Sequence, residues 1–180
     1  ESDIELSKRP EIDRWILSEL HSLIKNVDAC YADYEPTRAG RAIQEFVDVY
    51  LSNWYVRLCR RRFWKGEYSE DKILAYQTLY TCLEKIAILM SPIAPFYADR
   101  LFKDLTSVTQ KDKSESVHLA YFPKFEKSFI DKELEERMEL AQQISSMVLS
   151  IRKKENLRVR QPLNHIQIPV LDDAYKTKIE

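Results

Sequence analysis

The stretch Leu51 to Trp64, LSNWYVRLCRRRFW, places Arg57, Arg60, Arg61 and Arg62 among Trp54, Tyr55, Phe63 and Trp64. A guanidinium forks onto phosphate or carboxylate oxygens and stacks on planar rings. The run therefore suits either a nucleic-acid backbone with unstacked bases or the carboxylates of neighbouring helices, and residue types alone leave both readings open. Set on a helix at about 100° per residue, Arg57, Arg61 and Trp64 fall on one line with Arg60 beside them and Lys65 following. Arg62 points elsewhere, near Tyr55 and Leu58. Val49, Val56 and Phe63 make one apolar stripe, and Val47, Leu51, Trp54 and Leu58 make another roughly 150–180° away, which predicts a central helix packed on two sides.

A second basic cluster, IRKKENLRVRQP, sets Arg152, Lys153, Lys154, Arg158 and Arg160 against Glu155. In a chain of net charge -1, two such clusters suggest a shared polyanion surface, although a solvated face is the commoner origin of a charge run. No catalytic constellation stands beside them. His21, His118 and His165 are isolated, and His21 on a helix reads as a surface or satisfied histidine. The run DKELEERMEL is interleaved with Lys132 and Arg137 at helical spacing and reads as a solvated face. No serine or cysteine sits in a nucleophile motif. Cys30, Cys59 and Cys82 lack paired spacing, so neither a disulfide framework nor a zinc site is expected, and a reducing compartment fits. With only two glycines, Gly40 and Gly66, a P-loop or dinucleotide fingerprint is excluded, because each needs several glycines where backbone approaches phosphate.

The elements that must position these residues read as helices. Pro10 at a helix start and Ile12, Trp15, Ile16, Leu20, Leu23, Ile24 and Val27 behind it predict an amphipathic helix from Pro10 to about Tyr31. From Pro36 no breaker occurs until Gly66, which predicts one helix of about 28 residues, roughly 42 Å long. Ser69 is the expected N-cap of a third, with Ile73, Leu74, Leu79, Tyr80, Leu83, Ile86, Ala87 and Met90 as its apolar positions. It should stop near Met90, because Ser91 precedes Pro92. A short helix is expected from about Pro95, then a polar loop over TSVTQKDKSES and an extended connector over VHLAYFP. A charged helix should run from about Phe129 to Glu155, with Leu134, Met138, Ala141, Ile144, Val148 and Ile151 as its narrow stripe. LRVRQPLNHIQIPVL alternates at Leu157, Val159, Ile166, Ile168 and Val170, as one or two strands without partners in the chain. The expected fold is all-α with a short extended or β segment at the C-terminus. Residues 1–155 form the helical domain, and 156–180 the start of a truncated region.

A length of 180 residues with 44% hydrophobic content supports a real core, and near-balanced charge gives no global pull toward nucleic acid or membrane. The opening ESDIELSKRPEIDRW has no basic-then-apolar leader, and no apolar run approaches a membrane span of about 18 residues. A soluble, cytoplasmic chain with no membrane partner is the expectation.

Taken in order, DRWILSEL, YEPTRAGRAIQEFV, LSNWYVRLCRRRFW, AYQTLY, MSPIAPFYADRLF, SVHLAYFP and RKKENLRVRQPL run from Asp13 to about Leu163. Together they resemble the anticodon-binding region of the isoleucyl-tRNA synthetases, within the class Ia aminoacyl-tRNA synthetases. DRWILS and SPIAPF are shared with the valine and leucine enzymes, whereas SVHL before FP resembles the isoleucine branch. Ala98, Asp99 and Arg100 stand where many bacterial members carry Thr-Glu-Glu, and this resembles the branch shared with eukaryotic-type enzymes. The resemblance implies an anticodon-binding helix bundle that holds the anticodon stem and loop of tRNA(Ile) for a catalytic domain elsewhere in the parent chain. It implies a piece beginning after the catalytic core and ending inside a C-terminal stem-contacting region. The parent would be an ATP- and Mg-dependent ligase, with Zn a further candidate. Its His-x-Gly-His and Lys-Met-Ser-Lys-Ser signatures and its editing domain are absent from this sequence, so the piece itself should be inactive and hold no cofactor. Expected partners are tRNA(Ile) and the catalytic and editing domains of the same chain, in a monomer. Arg57, Arg60, Arg61, Trp64 and Lys65 are the first candidate tRNA contacts and Arg158 and Arg160 the second, with Arg62 structural. The same module of a valyl- or leucyl-tRNA synthetase, or a helical scaffold that binds no RNA, are the competing readings.

Overall fold

In the computed structural model, which describes residues 5–64 and 67–169, proline and serine start the helices where the sequence places them. Pro10 precedes α1 (Glu11–Ala32), and the Ser69 hydroxyl caps α4 (Glu70–Met90) by accepting the amide of Lys72. Pro36 and Pro95 occupy the first turns of α2 (Pro36–Glu45) and α5 (Pro95–Thr109), where a missing N–H costs no helical bond. α6 (Lys132–Lys154) begins on the Asp131 carboxylate, which accepts the amide of Leu134. The architecture is all-α, with no strand among the described residues. Leu157 to Pro169 forms turns and irregular backbone, as befits an alternating segment with no partner to pair with. Val170, the last residue of that alternation, lies outside the described residues.

The chain divides into two units, residues 1–130 and 131–180. In the first, α1 packs against α2, the segment after it, and α4. Trp15, Ile16, Leu20, Ile24 and Val27 are fully buried there. Burying side chains of this size stabilises by about 1.5–3 kcal/mol each.

The predicted long helix from Pro36 requires correction. α2 gives way to π-helical turns over Phe46–Val56, the backbone turns at Cys59, and α3 (Arg60–Trp64) follows. Hydrogen bonding from i to i+5 widens each turn and rotates side chains relative to an α-helix. The buried line is consequently Phe46, Leu51, Tyr55, Cys59 and Phe63, and neither predicted stripe survives. Val49 and Leu58 are exposed, and Val47, Trp54 and Val56 are half-buried.

α4 has the length and mean apolarity of a membrane-crossing helix. It is nevertheless a core helix, carrying Glu84 and Lys85 between buried Cys82 and Ile86. Its buried set adds Ala75, Thr78, Cys82, Ile88 and Leu89 to the expected positions, whereas Ile73, Leu79, Tyr80, Leu83 and Met90 are only half-buried.

α5 runs to Thr109, so the predicted loop begins later than Thr106. The Thr106 hydroxyl bonds back to the Phe102 carbonyl, satisfying its polar atom inside the helix. Gln110 then closes the helix in the left-handed region at φ 49. Ala87 and Ile88 of α4, Ala98 and Phe102 of α5, and Val117 form one buried cluster. Val117 belongs to a 3-10 turn, Val117–Leu119, rather than to an extended connector. Asp99 fastens that turn, accepting from the Ser116 hydroxyl at 2.7 Å and the Val117 amide at 3.1 Å while pairing with Lys103 at 2.7 Å.

In the second unit, Arg152 Nη1 reaches the carbonyls of Arg158 at 2.8 Å and Gln161 at 2.9 Å. Asn156, at φ 53, turns the chain after α6. Along the expected α6 stripe Leu134 is buried, Met138, Ile144 and Val148 are half-buried, and Ala141 and Ile151 are exposed.

Candidate nucleic-acid interface

The four arginines of the opening stretch divide into two kinds. Arg62 turns inward and forks onto Asp13, a fully buried carboxylate on α1, with Nη1–Oδ1 at 2.6 Å and Nη2–Oδ2 at 2.9 Å. Its Nε bonds Asp71 Oδ2 at 3.0 Å, Nη2 reaches the Asp71 carbonyl at 3.1 Å, and Nη1 meets Cys59 Sγ at 3.4 Å. The Tyr55 hydroxyl completes the site by donating to Asp13 Oδ1 at 2.9 Å. One guanidinium thus joins α1, α3 and the first turn of α4.

Electrostatics follow from this geometry. Burial opposes the charge on Arg62, but its bonds to Asp13 and Asp71 outweigh that and hold its pKa above the ordinary arginine value. Burial, then the negative Asp13 beside it, pushes the Tyr55 hydroxyl well above its usual range. Burial likewise raises the Cys59 thiol despite the neighbouring Arg62.

With Arg62, Phe63 and Cys59 facing inward, α3 and the turn before it present Arg57, Arg60 and Arg61 to solvent, with Trp64 75% exposed. Among the described residues none of these three arginines meets a carboxylate. An exposed indole beside unpaired guanidinium groups can stack a base and neutralise phosphates. Lys65 lies outside the described residues.

Arg158 and Arg160 are exposed in the second unit, with Lys153 and Lys154. Arg152, grouped with them by sequence, is spent on backbone carbonyls. Of the two readings of His21, the satisfied one holds: it is buried, its Nδ1 accepts the Glu126 amide at 3.0 Å and its ring stacks on Phe129 at 4.5 Å. His118 and His165 are exposed.

Sequence reasoning missed the aromatic support that α4 gives to α3. The Tyr76 hydroxyl donates to the Phe63 carbonyl at 3.2 Å, and the two rings meet edge to face at 5.4 Å. The signal was present in AYQTLY, where Tyr76 and Tyr80 stand one helical turn apart. Among the described residues no group of three His, Cys, Asp or Glu side chains could hold a metal ion.

Residues 13–168 match the family described as the anticodon-binding domain of tRNA ligase. The chain is 61% identical over 180 residues to an isoleucine–tRNA ligase of Bacteroides thetaiotaomicron, covering all of this chain and 16% of that protein. It is 62% identical over 180 residues to one of Cytophaga hutchinsonii, again covering all of this chain and 16% of the relative. A more distant isoleucine–tRNA ligase, from Dehalococcoides mccartyi, is 48% identical over 93% of the chain. The chain thus spans about one-sixth of the length of the relatives it matches.

Proposed function

Because this chain belongs to the family of anticodon-binding domains of tRNA ligases, we propose that it is the part of an isoleucine–tRNA ligase that holds the anticodon stem and loop of tRNA(Ile). One observation carries the reading to residues: Arg57, Arg60, Arg61 and Trp64 are exposed together while Arg62 alone is drawn into the fold. An ordinary structural use of arginine explains Arg62 and leaves the other three for a polyanion. Lys65, which follows Trp64 in the sequence, is a further candidate contact, and Arg158 and Arg160 are a second set. The high identity to isoleucine–tRNA ligases supports tRNA(Ile) over the valine and leucine tRNAs.

In this reading the chain's task is positioning. Guanidinium groups on phosphates fix the register of the RNA, and stacked bases add affinity. Adenylate chemistry, with its ATP, Mg and any Zn, belongs to the catalytic part of the longer polypeptide, whose catalytic and editing domains are the chain's other partners. The setting is a monomer in the cytoplasm.

The test is fluorescence anisotropy with a labelled isoleucine-tRNA anticodon stem-loop at about 50 and 200 mM salt, using an anticodon-swapped stem-loop as control. Binding should prefer the isoleucine anticodon and weaken steeply with salt as counterions are released. Arg57→Ala with Arg61→Ala should lose affinity while keeping the helical circular dichroism of the parent chain. Unchanged affinity per folded molecule would make these arginines structural and leave the helical-scaffold reading in place.

A further inference from the structure

Beyond the arginine strip, the first unit contains a second surface able to take a planar ring. Tyr76, Gln77 and Tyr80 on α4 face Val108, Thr109 and Lys111 across an open cleft of about 600 Å³. That volume falls within the range of small-ligand sites, ~300–1,000 Å³. The walls are fixed from behind. Tyr76 is held by Phe63, and the Tyr80 hydroxyl bonds the Thr109 hydroxyl at 2.7 Å. The Lys111 ammonium lies 5.6 Å from the centre of the Tyr80 ring, so a cation and an aromatic face meet in the same cleft. Tyr76 remains 50% exposed and Val108 85% exposed, which leaves the mouth open and partly apolar.

Position selects the occupant. Tyr76 touches Phe63, the inward-facing residue next in sequence to exposed Trp64, so the cleft is braced by the helix that bears Arg60 and Arg61. Glu84 lies 3.4 Å from the Tyr80 hydroxyl and would repel a phosphate at that edge of the ring. A phosphate therefore belongs on the Lys111 side and a base against the tyrosines.

We infer that the Tyr76–Tyr80–Lys111 cleft is a nucleotide subsite, taking one unstacked base of a single-stranded RNA loop against the tyrosine rings with its phosphate on Lys111. This rests on the RNA-binding reading given above and extends it to α4 and the end of α5, outside the arginine stretch. Such a site is tolerant of base identity, because every base offers a π-face.

The experiment measures binding of the labelled anticodon stem-loop to the wild-type chain, Tyr80→Leu, Tyr80→Phe, Lys111→Gln and Arg60→Ala/Arg61→Ala, with circular dichroism on each. Tyr80→Leu should weaken binding about fivefold to 150-fold, the range for loss of one stacked base, while Tyr80→Phe keeps most of it. Lys111→Gln should lower the magnitude of the salt slope by about 0.7, one single-strand phosphate contact. Loss of binding in the double arginine variant with wild-type affinity and slope in Tyr80→Leu and Lys111→Gln would overturn the subsite and leave the broader reading standing. Absence of salt-sensitive binding by the wild-type chain would overturn both. Should Tyr80→Leu unfold, the salt slope of folded Lys111→Gln decides alone: a slope unchanged from wild type removes the subsite.

Discussion

At the scale of single residues, Arg62 and Arg61 are neighbours with opposite uses. Arg62 closes a site in which Asp13 is fully buried, so truncating it strands a carboxylate without a counter-charge. Removing one partner of such a pair costs about 3–5 kcal/mol. Arg61 is exposed, and its truncation should change stability by no more than about 0.5 kcal/mol. Urea denaturation of Arg62→Ala beside Arg61→Ala checks this; equal, small losses would mean that the Asp13 fork carries no stability. This division was legible in outline, because a helical wheel sets Arg62 apart from Arg57 and Arg61. The partner was not legible. Asp13 lies on a different helix far away in sequence, and nothing in DRWILSEL marks a buried acid.

At the scale of elements, helix starts were legible because proline and serine act locally, whereas the interior of the second helix was not. Its buried positions follow a widened turn over Phe46–Val56, and a 3.6-residue period misassigns Val49 and Leu58. The joint between α5 and the Val117–Leu119 turn was equally invisible, since Asp99 reads as a surface acid. Lys103 first, then the Ser116 hydroxyl, pull the Asp99 carboxyl down to about 2. An unfolded aspartate titrates near ~3.9, so the unfolded chain takes up this proton first. The stability Asp99 supplies is therefore complete above about pH 4 and disappears as pH falls toward 2. Asp99→Asn should flatten that portion of an acid-unfolding curve, and an unaltered curve would show that the clasp is incidental.

For the molecule as a whole, composition argued against a P-loop or a dinucleotide fingerprint but could not indicate an RNA surface, because a net charge of -1 averages away the local clusters. Order and spacing of motifs carried the family, from Asp13 almost to the end of the matched region. What no motif displayed is how the first unit closes on itself. His21 on α1 receives the Glu126 amide from 105 residues away. Burial first, with Lys85 adding to it and Glu126 opposing, lowers the His21 pKa below 6.5. Protonation of Nδ1 would also abolish its acceptor. The unfolded chain accordingly binds the proton more readily, and stability should decline as pH drops below about 6.5. His21→Gln should be weaker at pH 8 and lose less between pH 8 and 5.5 than the parent chain does. A parallel loss in both proteins would assign the pH dependence elsewhere.

The three thiols give the fold a property of another kind. Cys30, Cys59 and Cys82 are all buried, at the end of α1, beneath the arginine strip and inside α4. Burial raises the pKa of Cys59 and Cys82, and a protonated, enclosed thiol is a poor nucleophile. An alkylating reagent therefore meets each sulfur only when that neighbourhood opens, so the chain carries three internal clocks. Cys59, at the break before a five-residue helix, should tick well before Cys82, and RNA on the strip above it should slow that clock first.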